Sequence, residues 1–534
     1  MTPANAVPRR RGRLPSRVRP ARFLALTIAA LGCRGTEPGP QRHTVIDSRD
    51  RYDPKSLDPA LSTDVPTGRA VSYLFDGLTR FSVDAKLEPA LATRWETSAD
   101  GREYTFHLRS GVKFHDGKPL RASTVARSFA RALDPANKAV RPWPLYPIAG
   151  ARAFASGSAP TIAGVTVVDD STLRIRLDTA LAIFPKLLAM PVASVVPDST
   201  PADFGQHPVG TGPWRFVRWQ HDDFVLLARN PTYFAGAPRV DSLMIRVIPE
   251  PSTAVAEFES GNVDILYVPE ADTRQWEQTD EKKALLVSTP ALRLWYVAIN
   301  TTRGPLKDPR VRQALNHAVD VKAIVDRLIG GRGRLAAGVI PPSLDGADTA
   351  RHPYAYDPKL AKKLLAEAGY EKGFSVEIWH GQDETFARVA QALQGYLADV
   401  GVHATIVQRE SAAAREASRN GQVDLFVKDW YADYPDAEDF LYPLLHSANR
   451  GVGGNVSFYE SPAVDKLIAK SRLEQNAAVR AQLYRQADSL AFLDAPLIYL
   501  FFYDELYAVQ PWVHGFEAPV IFTGQRLTTV SIGR

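Results

Sequence analysis

Residues 374–427 read FSVEIWHGQDETFARVAQALQGYLADVGVHATIVQRESAAAREASRNGQVDLFV. Phe374, Val376 and Ile378 alternate with polar residues, the period of a half-buried strand. Phe386, Val389, Ala390, Leu393 and Leu397 then recur at helical spacing. His403 to Gln408 predicts a second strand, alanine-rich Ser411 to Arg419 a second helix, and Val423 to Val427 a third strand. A β-α-β-α-β series of this kind builds a mostly parallel sheet with helices on both faces, so the class is α/β. Ligands of such sheets bind beyond the carboxyl ends of the strands. That rule points to the segment after Val427, which holds Asp429-Trp430-Tyr431-Ala432-Asp433-Tyr434-Pro435-Asp436.

Trp430, Tyr431 and Tyr434 have flat apolar faces with polar tips, suited to the wall of a wet pocket. A carboxylate among them can receive an ammonium group through a charge-assisted hydrogen bond. The same residues also fit a solvated turn built on Pro435. The residues alone leave both readings open.

Outward from this series the alternation of strand and helix continues. Asp308-Pro309 starts a helix with an Asp cap and Pro at the first turn. Its stripe is Val311, Ala314, Leu315, Ala318 and Val319, and Gly330 is its expected stop. Asp357-Pro358 repeats the device, with Gly369 at the end. The part before residue 290 is richer in strands. Tyr104, Phe106 and Leu108, a Ser110-Gly111 turn, and Val112 and Phe114 predict a hairpin, and Ser123 to Leu133 predicts a helix. Leu173, Ile175 and Leu177, Phe224 to Ala228, Leu243 to Ile248 and Val263 to Leu266 predict strands, with a helix over Ser252 to Ser260. Pro208 to Trp214 is a Pro/Gly cluster and reads as a loop or crossing point. Leu497 to Phe502 predicts an apolar strand late in the chain.

With 534 residues the chain exceeds one hydrophobic core, so two or three domains are expected. The net charge is +5, but Arg9, Arg10, Arg11, Arg13, Arg17, Arg19 and Arg22 precede Cys33 with no acid among them. Without those seven the charge is −2, and no nucleic-acid footprint is left. The apolar run Phe23 to Gly32 has the length of a signal-peptide core, too short to cross a bilayer. It ends at Cys33, the only cysteine, which leaves neither a disulfide nor a cysteine nucleophile. Arg34 to Arg42 reads as a flexible tether.

Enzyme and metal signatures are missing from the sequence. Gly331-Arg332-Gly333-Arg334 follows a helix and so fails the context of a dinucleotide loop. His221-Asp222-Asp223 reads as a hairpin turn, not a metal site. Neither a paired-histidine zinc motif nor a Gly-x-Ser-x-Gly elbow occurs. No catalytic residue, metal or cofactor is expected.

Several separated stretches resemble one family. They are Pro54 to Ala60, Leu74-Phe75-Asp76-Gly77-Leu78-Thr79, Phe114-His115-Asp116-Gly117-Lys118-Pro119-Leu120, His207 to Trp214, Asn230-Pro231-Thr232-Tyr233-Phe234, Asp308 to Asp320, and Trp430 to Phe440. In this order they look like the extracellular solute-binding proteins of family 5, the peptide and nickel binders of ABC importers. The start, with Cys33 after Leu31-Gly32, resembles a bacterial lipoprotein cleavage site, although Ala30 stands where that pattern usually has Leu.

The resemblance implies a two-lobed periplasmic-binding-protein type II fold with an extra domain, three domains in all. Residues 1–33 would be the signal peptide and 34–43 the tether. Residues 44–70, 205–289 and 499–534 would form a discontinuous domain I, 71–204 the extra domain II, and 290–498 domain III. It further implies capture of short peptides by a monomer. The protein would sit at the extracytoplasmic face, anchored through lipidated Cys33, and deliver to permease subunits, with ATPase subunits engaged indirectly. In peptide-binding members the acid of the Trp-x-x-Asp-Tyr motif meets the peptide ammonium, which is Asp433 here, with Trp430, Tyr431 and Tyr434 lining the pocket. A nickel chelate, an opine or an oligosaccharide as ligand, or a sensor or chaperone-type receptor, are the alternatives within this fold.

Overall fold

A computed structural model describes residues 44–533, so Cys33, the arginine-rich start and the tether lie outside the described residues. In chain order, strand β1 (Thr44–Ser48) and helix α1 (Val65–Leu74) come first, then β2 (Ala92–Thr97), β3 (Glu103–Leu108), α2 (Ala122–Leu133), β4 (Val165–Asp169) and β5 (Thr172–Arg176). β6 (Trp214–Gln220), β7 (Phe224–Arg229), β8 (Ser242–Arg246), β9 (Ile265–Tyr267) and the long β10 (Leu286–Ile299) follow. After α3 (Pro309–Ala318) and α4 (Val321–Leu328) comes the series read from the sequence. It is β11 (Phe374–His380), α5 (Glu384–Asp399), β12 (Val402–Gln408), α6 (Ser411–Arg419) and β13 (Leu425–Tyr431). Helix α7 (Glu438–Leu445) and the long β14 (Leu497–Val509) complete the frame.

One sheet runs through the molecule in the order β12-β11-β13-β10-β14-β9-β1-β8-β7-β6. β11 is parallel to both β12 and β13, as the alternating series requires. β10 and β14 are antiparallel and cross the middle of the sheet side by side. Their register shifts between Pro290 and Leu294, and again between Trp295 and Tyr296. Successive residues of β10 serve different cores: Leu294 and Tyr296 fill one, Trp295 and Val297 another. A separate antiparallel sheet, β2-β3-β5-β4, makes its own core with α2, built on Tyr104, Phe106, Val125, Phe129, Leu173 and Ile175. Burying side chains of that size contributes about 1.5–3 kcal/mol each.

The Pro/Gly loop before β6 has a packing reason. A Cβ on Gly210 would meet the Leu74 carbonyl oxygen at 1.9 Å, and one on Gly212 the Tyr73 carbonyl oxygen at 2.4 Å. Only glycine lets this loop lie on the end of α1. His115 clamps the loop from the other side. Its Nδ1 accepts from the Gly210 N–H at 3.2 Å and its Nε2 donates to the Gly212 carbonyl at 3.1 Å. Burial pushes the imidazole down to about 4. The clamped Thr211 then donates its hydroxyl to Asp76 at 3.0 Å. Asp76, wholly buried, also accepts from the Tyr233 hydroxyl at 3.0 Å and from the Arg526 guanidinium.

Four expectations need correction. Val112 and Phe114 form no hairpin with β3, because β2 and β5 already occupy both of its edges; the two residues fill the core instead. The helix from Asp308 stops at Ala318, and Asp320 caps the new helix α4 by accepting from the Ala323 N–H at 2.9 Å. β13 continues to Tyr431 because β10 gives it partners up to Arg293, so Asp429 and Trp430 lie in the strand and not beyond it. The late strand runs on to Val509, twice as far as its apolar start suggests, by pairing with β9. The β6–β7 hairpin does place His221-Asp222-Asp223 at a turn, with Asp222 at φ 58.

Candidate functional site

The end of β13 sets the site. Lys428 faces Tyr296 across the ladder, Trp430 faces Leu294 and Tyr431 faces Arg293. The Ala432 N–H donates to the Leu292 carbonyl at 2.8 Å, and the chain then turns into α7. Strand alternation sends Asp429 and Tyr431 to one face, Lys428 and Trp430 to the other. On the first face the Arg293 Nε donates to Asp429 at 2.7 Å, and the guanidinium lies 5.9 Å from the Tyr431 ring. Tyr431 meets Phe522 edge-on at 5.5 Å. Its buried hydroxyl has no hydrogen-bond partner among the described residues.

Asp433 is 9% exposed and is held from far away in the chain. The Arg141 Nη1 donates to one carboxylate oxygen at 2.9 Å and its Nη2 to the other, a bidentate fork. The negative charge of Asp433 raises the Arg141 pKa further. Beneath it the Asp433 N–H donates to Asp439 at 2.7 Å, and the Trp430 indole N–H reaches the same oxygen at 3.4 Å. Asp439 is fully buried, and its other oxygen has no partner among the described residues. Burial, then the charge of Asp433, pushes this carboxyl well above the usual range.

Lys186 makes a second contact of the same kind. Its ammonium donates to Asp436 at 2.6 Å and to the Pro435 carbonyl at 2.8 Å. Burial alone would raise the Asp436 pKa, but Lys186 outweighs it and the carboxyl is lowered. Tyr434 donates its hydroxyl to Glu438 and packs against Trp143 at 6.2 Å. Glu438 in turn meets the Arg472 Nε at 3.0 Å.

The structure therefore brings the predicted residues Trp430, Asp433 and Tyr434 together around Asp439, with Tyr431 on the opposite strand face. Sequence reasoning missed Arg141, Lys186 and Trp143. Asp433 and Arg141 are 292 positions apart, and no local pattern announces such a pair. The described residues contain no group of three or more His, Cys, Asp or Glu able to hold a metal ion. None of their helices is long and apolar enough to cross a membrane.

Residues 86–452 match the family model described as bacterial extracellular solute-binding proteins, family 5, middle region. The chain belongs to this family. It is similar to the glutathione-binding protein GsiB of Pectobacterium atrosepticum, 33% identical over 458 residues that cover 83% of this chain and 86% of that protein. Heme-binding protein A of Haemophilus influenzae is also 33% identical, over 83% of this chain and 84% of its own length. Among solved structures, the periplasmic binding protein DppA of Helicobacter pylori in complex with the peptide STSA superposes with a TM-score of 0.78. It is 27% identical and covers 92% of this chain and 98% of that one. The fold is that of the two-lobed periplasmic binding proteins, as the resemblance implied, with the mixed α/β content that the parallel series led us to expect. This family 5 protein thus carries its motif acid, Asp433, in an ion pair with a residue from a distant part of the chain.

Proposed function

We propose that this family 5 protein captures short peptides outside the cytoplasmic membrane and passes them to an ABC importer, without catalysis. In this reading residues 44–70, 205–289 and 499–534 form one lobe, 71–204 an extra domain on it, and 290–498 the facing lobe. Cys33 carries the lipid that holds the protein to the membrane. The reading is supported by relatives named for glutathione and haem binding and by a structural neighbour bound to a tetrapeptide.

The observation that carries it is Asp433, a nearly buried carboxylate beside Trp430 and Tyr434 whose cation partner comes from outside the motif. Arg141 occupies the place where a peptide ammonium would bind. Its own side chain is 32% exposed, so it can swing away into water when the ligand arrives. Peptide capture is then an exchange of one cation for another at Asp433, and the buried carboxylate is never left bare.

Calorimetric titration of the chain from Gly35 onward, unfolded and refolded to strip carried ligand, tests this. Di- to pentapeptides, their N-acetylated forms, nickel chelates and oligosaccharides are the ligands. Free peptides should bind, whereas N-acetylation or Asp433→Ala should cost about 3–5 kcal/mol, the penalty for removing one partner of a buried charge pair. Equal binding of acetylated peptides removes Asp433 from the ammonium role. Binding of a chelate or sugar alone removes the peptide.

A further inference from the structure

Along the site segment four acids each have their own cation. Asp429 has Arg293, Asp433 has Arg141, Asp436 has Lys186 and Glu438 has Arg472. Lys428 is the exception among the cations. It makes no hydrogen bond and no ion pair among the described residues, yet it is only partly exposed and lies between two rings. Its Nζ is 5.7 Å from the Tyr296 centroid and 5.8 Å from the Trp430 centroid. The Tyr296 hydroxyl is itself buried without a partner among the described residues. An ammonium and a phenol stand as neighbours here, both donors and both without an acceptor.

Position matters as much as charge. Trp430 lies against Lys428 on one side, and its indole N–H shares an Asp439 oxygen with the backbone N–H of Asp433. One indole therefore spans the interval between the cation at residue 428 and the acid at residue 433.

Resting on the peptide reading above, we propose that Lys428 receives a ligand carboxylate while Asp433 holds the ligand ammonium, so that this protein selects short acidic peptides. Burial holds the ammonium down at about 8, Asp429 partly opposes this, and Arg419 and Arg415 of α6 add to it. A ligand anion at this point relieves a cation that nothing else neutralises. A basic or neutral peptide leaves this ammonium unmet.

The test is calorimetry on the chain from Gly35 with the pair Ala-Ala-Glu and Ala-Ala-Gln, both as C-terminal amides, which differ only in the side-chain charge. Wild type should bind the glutamate peptide at least tenfold tighter. That ratio should fall below twofold in Lys428→Met and stay within threefold of wild type in Lys428→Arg, each variant being checked for native unfolding midpoint. A ratio near one in wild type, or one that survives Lys428→Met, overturns the proposal. A second probe separates this failure from failure of the peptide reading. Thermal stabilisation by glutarate should appear in wild type and Lys428→Arg and be lost in Lys428→Met. If no peptide binds but glutarate behaves so, the peptide reading falls and the carboxylate site stands. If glutarate stabilises Lys428→Met as well as wild type, or does not stabilise wild type, the site at Lys428 falls.

Discussion

Two of the arginine–aspartate pairs in this molecule do different work. Asp76 is sealed: Arg526, Tyr233 and Thr211 all donate to it, and it has no exposed surface. Asp433 keeps 9% of its surface, its arginine keeps 32%, and burial raises the pKa of the acid beneath it. Three donors from three separate segments make the first pair a fastener. The second has one detachable partner and aromatic walls. The comparison shows that burial alone does not mark a structural pair; what marks it is whether each partner is held by anything besides the other.

The largest expected effect breaks the sealed pair. Asp76→Ala should lower unfolding free energy by about 3–5 kcal/mol, since it strands a buried guanidinium, while Asp433→Ala should cost less than half of that. Urea denaturation of both variants checks it, and equal losses would erase the distinction. A pH effect comes next. Unfolded His115 titrates near 6.5 and the folded imidazole near 4, so between these values only the unfolded chain binds the proton. Stability is then complete above about pH 6.5 and lost as pH falls towards 4, by roughly 3 kcal/mol at most. His115→Gln should flatten that slope in urea midpoints taken from pH 7 to pH 4.5, because the clamp belongs to the Asp76 side.

Asp439 has the opposite sign. Its folded pKa is raised, so its contribution is complete below the unfolded value near 3.9 and is lost as pH climbs. Asp439→Asn should therefore leave stability unchanged at pH 4 and raise it by about 1 kcal/mol at pH 8, read from melting at the two pH values. The smallest effect is at the detachable arginine. Arg141→Gln should change stability by about 1 kcal/mol or less and tighten the binding of free peptides several-fold, because the ligand ammonium no longer has to displace a competitor.

The parallel series was legible because each strand and helix there is amphipathic on a local scale, and in the stretch before it Asp caps with following prolines mark the helix starts. The candidate segment was reached by the same reading, through the end of the third strand. The errors arose where a distant partner decides. β13 reaches Tyr431 only because β10 lies beside it, and Val112 and Phe114 lose a hairpin to strands read from elsewhere. Arg141 and Lys186 lie in an irregular stretch and a single helical turn whose composition marks no site. Their meaning arises only when the segments meet.

The shift in the central ladder also has a kinetic reading. Pro290 brings no N–H, and β10 resumes its pairing with β14 only at Leu294. The two longest strands are therefore joined as two zippers with an unfastened interval between them. Amide protons on Leu286–Thr289 and on Leu294–Ala298 should exchange as two separate blocks, each with its own opening rate. The Ala291 amide should exchange ahead of both, whereas the Leu292 N–H is held by the Val520 carbonyl at 3.1 Å.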